Sequence, residues 1–135
     1  MKVVIDTNCL IASIPRSNPE FWLYRAFKDK QFEWVISNEI MLEYEEKLAV
    51  FYSVPTADLV LTVLTLASNV VFAEPFLKWN LIAADPDDNK FADLAISSNA
   101  NYLVTNDRHF QVLKNLDFPT VKAVTLEEFK NIIGY

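Results

Sequence analysis

Only one glycine, Gly134, occurs among the 135 residues. A phosphate-cradling P-loop and a dinucleotide-binding turn both need glycine where the backbone must approach phosphate closely. Nucleotide-cofactor enzymes of those two kinds are therefore excluded. Cysteine is equally scarce: the lone Cys9 has no partner for an internal disulfide or for a paired thiolate zinc site, and it reads as a small buried hydrophobe. A cysteine nucleophile would need a base, and the one histidine, His109, lies a hundred residues along the chain. The opening Met1-Lys2-Val3-Val4-Ile5-Asp6 holds three apolar residues stopped by an acid, too few for a signal peptide or membrane span, so a cytoplasmic protein with no membrane association is expected. Positive charge is also short, with 12 Lys and Arg against 18 Asp and Glu and a net charge of −6. Long-range steering of an anionic polymer favours a basic protein. A divalent cation in an acidic pocket inverts the local potential, so the deficit does not exclude an anionic ligand.

What is present is the composition of an ordinary globular protein, 52% hydrophobic and 22% charged. Residues 1–135 are enough for a single domain around one core. Lys2 to Ile5 reads as a buried strand ending at the turn-prone Asp6-Thr7-Asn8. Asn18-Pro19-Glu20 reads as a helix start with Pro19 at the first helical position, followed by the core aromatics Phe21, Trp22, Tyr24 and Phe27. Phe32 to Ile36 is a second strand, and Ser37 caps a helix running to about Val50. Val54-Pro55 opens a helix whose apolar face is Leu59, Val60, Val63, Leu64 and Ala67. Val70 to Ala73 is a third strand. Asp85-Pro86-Asp87-Asp88-Asn89 is a turn that starts a helix, Tyr102 to Val104 is a strand, Thr120 to Val124 is a last strand, and Thr125 to Glu128 is a capping box. Strands alternating with helices predict a three-layer α/β domain with a mainly parallel sheet. Ligands of such sheets bind beyond the carboxyl ends of the strands, where strand order reverses.

That rule directs attention to acids at strand ends, namely Asp6 after the first strand and Asp107 after the Tyr102 strand. Asp88 opens a helix, where a plain capping role competes, and Glu43 lies on a helix stripe shared with Ile40 and Lys47. Each residue alone also fits a turn, a cap or a solvated face. Taken together, Asp6-Thr7-Asn8 after a strand, Glu43-Tyr44 on an early helix, Asp85-Pro86-Asp87-Asp88-Asn89 opening a later one, and Thr105-Asn106-Asp107 after a strand resemble the PIN-domain family. The resemblance spans essentially the whole chain and is nearest to the bacterial, VapC-like toxin components of toxin–antitoxin systems. It implies a three-layer α/β/α PIN-like fold with an acidic site of Asp6, Glu43, Asp88 and Asp107, supported by Asn8 and Thr105. Asp87 is the first substitute for Asp88. Asp93 would lie about 140° around the helix from Asp88 and should face elsewhere.

Four carboxylates in one crevice repel strongly, so at least one should take up a proton unless a cation intervenes. Oxygen ligands favour Mg²⁺ or Mn²⁺. The resemblance implies endonucleolytic cleavage of RNA at that site, and a small antitoxin protein laying an apolar segment into a groove. Trp22, Trp79 and residues Phe76 to Ala84 are the candidates for that surface, although core burial suits most of them better; a homodimer is a further expected assembly. Arg16, Lys90 and Arg108 are candidates for phosphate contact. Two rival readings are a PIN-like binding module without catalysis and a phosphohydrolase with an aspartyl nucleophile. The second usually needs another acid two residues after the nucleophile, where this chain has Asn8.

Overall fold

The computed structural model describes residues 1–135. Five short strands form one sheet: β1 (Lys2–Ile5), β2 (Glu33–Ile36), β3 (Val70–Phe72), β4 (Tyr102–Val104) and β5 (Ala123–Val124), in the order β3-β2-β1-β4-β5. Every neighbouring pair is parallel, so the sheet is wholly parallel. The central strands read as unbroken apolar runs because helices cover both faces, leaving Val3, Val4, Ile5, Leu103 and Val104 with no exposed surface. These strands are the middle of a continuous 34-residue hydrophobic core.

The helices are α1 (Thr7–Ser13), α2 (Phe21–Lys28), α3 (Asn38–Phe51), α4 (Val54–Leu66), α5 (Asn89–Ser97) and α6 (Leu126–Ile133), with 3-10 turns at Pro86–Asp88 and Arg108–Asn115. The Ser37 hydroxyl accepts the Ile40 N–H to start α3, and Thr125 with Glu128 forms the expected capping box of α6. Gly134 occupies the left-handed position that ends α6, with φ 71°, the conformation for which glycine is most often used.

The chain runs outward from β1 to β2 and β3, then crosses back to lay β4 and β5 on the other side of β1. Strand order therefore reverses between β1 and β4. The crevice beyond their carboxyl ends receives the residues immediately after Ile5 and Val104.

Several local expectations are corrected. Asp6-Thr7-Asn8 is no turn: α1 begins at once at Thr7. Helix α2 begins at Phe21, because the Asn18 carboxamide accepts the Glu20 N–H and holds Pro19 in the preceding turn. The last strand shrinks from five residues to Ala123–Val124, and residues 108–115, for which the sequence pattern predicts no element, wind into a 3-10 helix. On α4 the buried face is Ala57, Val60 and Leu64, whereas Leu59 is 67% exposed. Trp22 is buried against the Phe129 ring and is not a surface anchor. No helix is long and apolar enough to cross a membrane.

Candidate metal centre

Asp6 follows β1 directly and is 5% exposed. Its backbone N–H extends the β1–β4 ladder by bonding to the Val104 carbonyl at 2.9 Å. The buried Thr105 hydroxyl ties the two strand ends together: it donates to Asp6 Oδ2 at 2.9 Å and accepts the Asp107 N–H at 3.0 Å. Asp107 Oδ1 in turn accepts the His109 N–H at 2.9 Å, capping the 3-10 helix that follows. Asp6 and Asp107 thus share one crevice as a direct consequence of β1 pairing with β4.

Asp88 reaches the same crevice from the start of α5. Although it occupies the N-cap position, its side chain makes no capping bond; the cap of this turn is Asp85, whose Oδ1 accepts the Asp87 N–H. The Asp88 carboxylate is thereby free of the capping role. Its Oδ2 is fully buried and has no hydrogen-bond partner, a costly state for a charged oxygen. His109 Nδ1 is its nearest positive candidate at 3.6 Å, and lies 3.5 Å from Asp107 Oδ1. Both separations exceed hydrogen-bond range. Asp87, by contrast, is exposed, and its carbonyl accepts from Lys90, the residue that also pairs with Glu43.

Burial is the main cause that pushes the Asp6 carboxyl up to about 6; the Thr105 hydroxyl opposes it, while the charges of Asp107 and Glu43 add to it. Burial also raises Asp88 to about 6, reinforced by Asp85, Asp6 and Asp107 and partly relieved by His109. Asp6 and Asp88 therefore sit in the field of neighbouring carboxylates, which His109 relieves only in part at Asp88. Asp85, Asp88 and His109 each offer a ligand atom within 4.8 Å of the others. An unpartnered buried carboxylate oxygen, repelling acids and an oxygen-rich donor set fit a hard divalent cation.

Glu43 stands apart from the triad. Tyr44, next to it on α3, is fully buried; its hydroxyl donates to the Ile5 carbonyl and accepts from Trp34 Nε1 at 3.2 Å, pinning α3 to the end of β1. That anchor presents Glu43 to α1, where the Thr7 hydroxyl donates to Glu43 Oε2. Its other oxygen pairs with Lys90 Nζ at 2.8 Å. Lys90 is thus engaged within the protein, while Arg16 and Arg108 are exposed. Asn8 is exposed on α1. Asp93 does face away, burying its carboxylate against the Trp79 N–H at 3.1 Å.

Sequence reasoning passed over Thr7, Lys90 as a partner of Glu43, and His109 together with Asp85. Thr7 and Asp85 lie inside the quoted motifs, and His109 is two residues past Asp107, so proximity to those acids was the available signal. A cavity of about 460 Å³ lined by Phe27, Lys30, Val63 and Asn69 contains none of the acids. Phe76 and Leu77 are 86% and 60% exposed.

The PIN-domain sequence model matches residues 2–109. No curated protein matches the sequence. Among solved structures, the chain is similar to one from Rickettsia felis VapBC2, determined bound to a DNA fragment from its promoter, with a TM-score of 0.63 at 17% identity over 93% of this chain and 98% of that one. It is also similar to one from VapBC-1 of nontypeable Haemophilus influenzae, with a TM-score of 0.61 at 17% identity over 94% and 99%.

Proposed function

The chain belongs to the PIN-domain family, and on that premise we propose that it is a metal-dependent endoribonuclease, a hydrolase of RNA phosphodiester bonds, acting as the toxin of a toxin–antitoxin pair. The observation that carries this reading is the convergence of Asp6, Asp88 and Asp107 on one crevice, where Asp88 Oδ2 stays buried without a hydrogen-bond partner and His109 comes no nearer than 3.5 Å. A non-catalytic module would gain stability from neutralising or removing such a cluster.

Asp6, Asp88 and Asp107 would hold Mg²⁺ or Mn²⁺. Bound there, the ion supplies Lewis acidity toward a phosphodiester and eases deprotonation of a water nucleophile. Thr105 orients Asp6 and the Asp107 backbone together, so both strand ends keep a fixed spacing. Glu43, held by Thr7 and Lys90 and near enough for its charge to raise Asp6, would orient water at the edge of the centre. Asn8, exposed beside Thr7, would meet substrate at the rim, with Asp87 a further acid there. The exposed Arg16 and Arg108 are the free cations suited to phosphate contact.

We read residues 1–135 as one such domain, working in the cytoplasm. The partner would be a small antitoxin, in keeping with the VapBC assemblies that the chain resembles in fold. Exposed Phe76 and Leu77 suit an apolar segment of that partner, and a homodimer is the assembly expected of the toxin itself. The test is incubation of the purified chain with a mixed RNA pool, with Mn²⁺ and with chelator. Internal cleavage only with metal, abolished in Asp6→Asn, is expected; cleavage in chelator overturns the mechanism.

A further inference from the structure

We infer that His109 gives the acidic centre a nitrogen ligand and so turns its preference toward first-row transition cations, Ni²⁺ and Mn²⁺, over Mg²⁺. The inference rests on the reading above that a cation sits among the aspartates. His109 is the chain's only histidine. Its Nδ1 lies 3.5 Å from Asp107 Oδ1 and 3.6 Å from Asp88 Oδ2. Ligand atoms around one octahedral ion, each about 2.0–2.2 Å from it, are separated by about 3 Å when adjacent and about 4.3 Å when opposite. The observed spacings, with Asp85, Asp88 and His109 ligand atoms all within 4.8 Å, are therefore those of a loosely preformed coordination sphere. They are too long for a direct hydrogen bond.

Two further observations support a ligand role over a stray surface imidazole. The His109 backbone is fixed by the Asp107 cap at 2.9 Å, so the ring is placed by the same residue that borders the crevice. Asp88 Oδ2, 3.6 Å from Nδ1, is fully buried with no partner. A shared cation would satisfy both atoms at once. Imidazole nitrogen binds Ni²⁺ more strongly than Mn²⁺ and adds little for Mg²⁺, which prefers oxygen and retained water.

The test is calorimetric titration of the full chain with Mg²⁺, Mn²⁺ and Ni²⁺ near neutral pH, for wild type, His109→Ala and His109→Gln. Circular dichroism establishes that each is folded, which the 44% exposure of the His109 side chain favours. Both variants should lose about tenfold or more in Ni²⁺ affinity while Mg²⁺ affinity changes by less than about twofold. Pulsed electron paramagnetic resonance of the Mn²⁺-loaded wild type should show ¹⁴N modulation that vanishes in His109→Ala. Equal weakening of all three ions, unchanged Ni²⁺ affinity, or absent ¹⁴N modulation overturns the inference while leaving the metal centre standing. Tighter binding of every ion by His109→Ala also overturns it, because it marks His109 as a competing cation. No saturable binding of any ion by wild type overturns the metal centre itself.

Discussion

Asp6 is held in place by one hydroxyl and strained by its surroundings: Thr105 donates to it, while burial and the charges of Asp107 and Glu43 oppose its ionisation. Asp6→Asn keeps an oxygen for the Thr105 bond but removes the charge. Activity should fall more than about a hundredfold, because substitutions one sphere further out already cost roughly 10- to 100-fold. The metal-free variant should nevertheless melt no lower than wild type at neutral pH, since a repelling buried charge has gone; a large loss of stability would show Asp6 to be structural. Asp88 and Asp87 make a sharper pair. Asp88→Asn should weaken Mn²⁺ binding at least about tenfold, whereas Asp87→Asn, at an exposed position, should leave it within about twofold. Equal effects in calorimetry would reverse the assignment. The acids at strand ends were legible in the sequence because position beyond a buried strand is itself a chemical address. The capping status of Asp88 was not, since an Asp after Asp-Pro-Asp caps or not according to where the third dimension puts its oxygens.

Helix α5 acts as a clamp for the segment that precedes it. Buried Asn89 accepts the Ile82 N–H at 2.8 Å and donates to the Ile82 carbonyl at 3.2 Å, while Asp93 holds the Trp79 N–H. The two side chains do for residues 79–82 what a neighbouring strand would do. Asn89→Ala leaves both Ile82 backbone groups unpaired next to the buried Ile82 side chain, so a loss of about 2 kcal/mol or more is expected. Urea unfolding measures it directly. A midpoint unchanged from wild type would mean that water replaces the carboxamide freely. None of this was visible in sequence, where Asn89 read as part of a turn. The elements that sequence patterning located best are those with long apolar periodicity or an explicit cap, such as α3 behind Ser37 and α6 behind Thr125. Those it missed, α1 and the 108–115 turn, are short and set by tertiary contacts: Cys9, Leu10, Phe110 and Leu113 are drawn into the core although their local residues favour turns.

At the scale of the whole molecule, strand order converts two sequence-distant acids into one site, and net charge of −6 makes that site costly without a cation. The parallel sheet followed from alternation of strands and helices, but the order β3-β2-β1-β4-β5 did not, because patterning fixes which segments are strands and leaves open which are neighbours. Once β4 lies beside β1, the carboxyls of Asp6 and Asp88 are both raised to about 6. A raised carboxyl favours the protonated folded state. Its penalty is absent below the ordinary value of 3.8, grows as pH rises, and is complete above about 6. In chelator, these two groups should therefore make the protein more stable at pH near 5 than near 7, with Asp6 alone contributing roughly 1 kcal/mol to that difference. In excess Mn²⁺ the slope should reverse, because protons compete with the ion for the same oxygens. Thermal melting across that range, with and without metal, tests both halves, and Asp6→Asn should flatten the chelator curve. A metal-free protein whose stability climbs steadily from pH 5 to 7, with Asp6→Asn running parallel to wild type, would mean that the aspartates are not electrostatically coupled in the way the crevice requires.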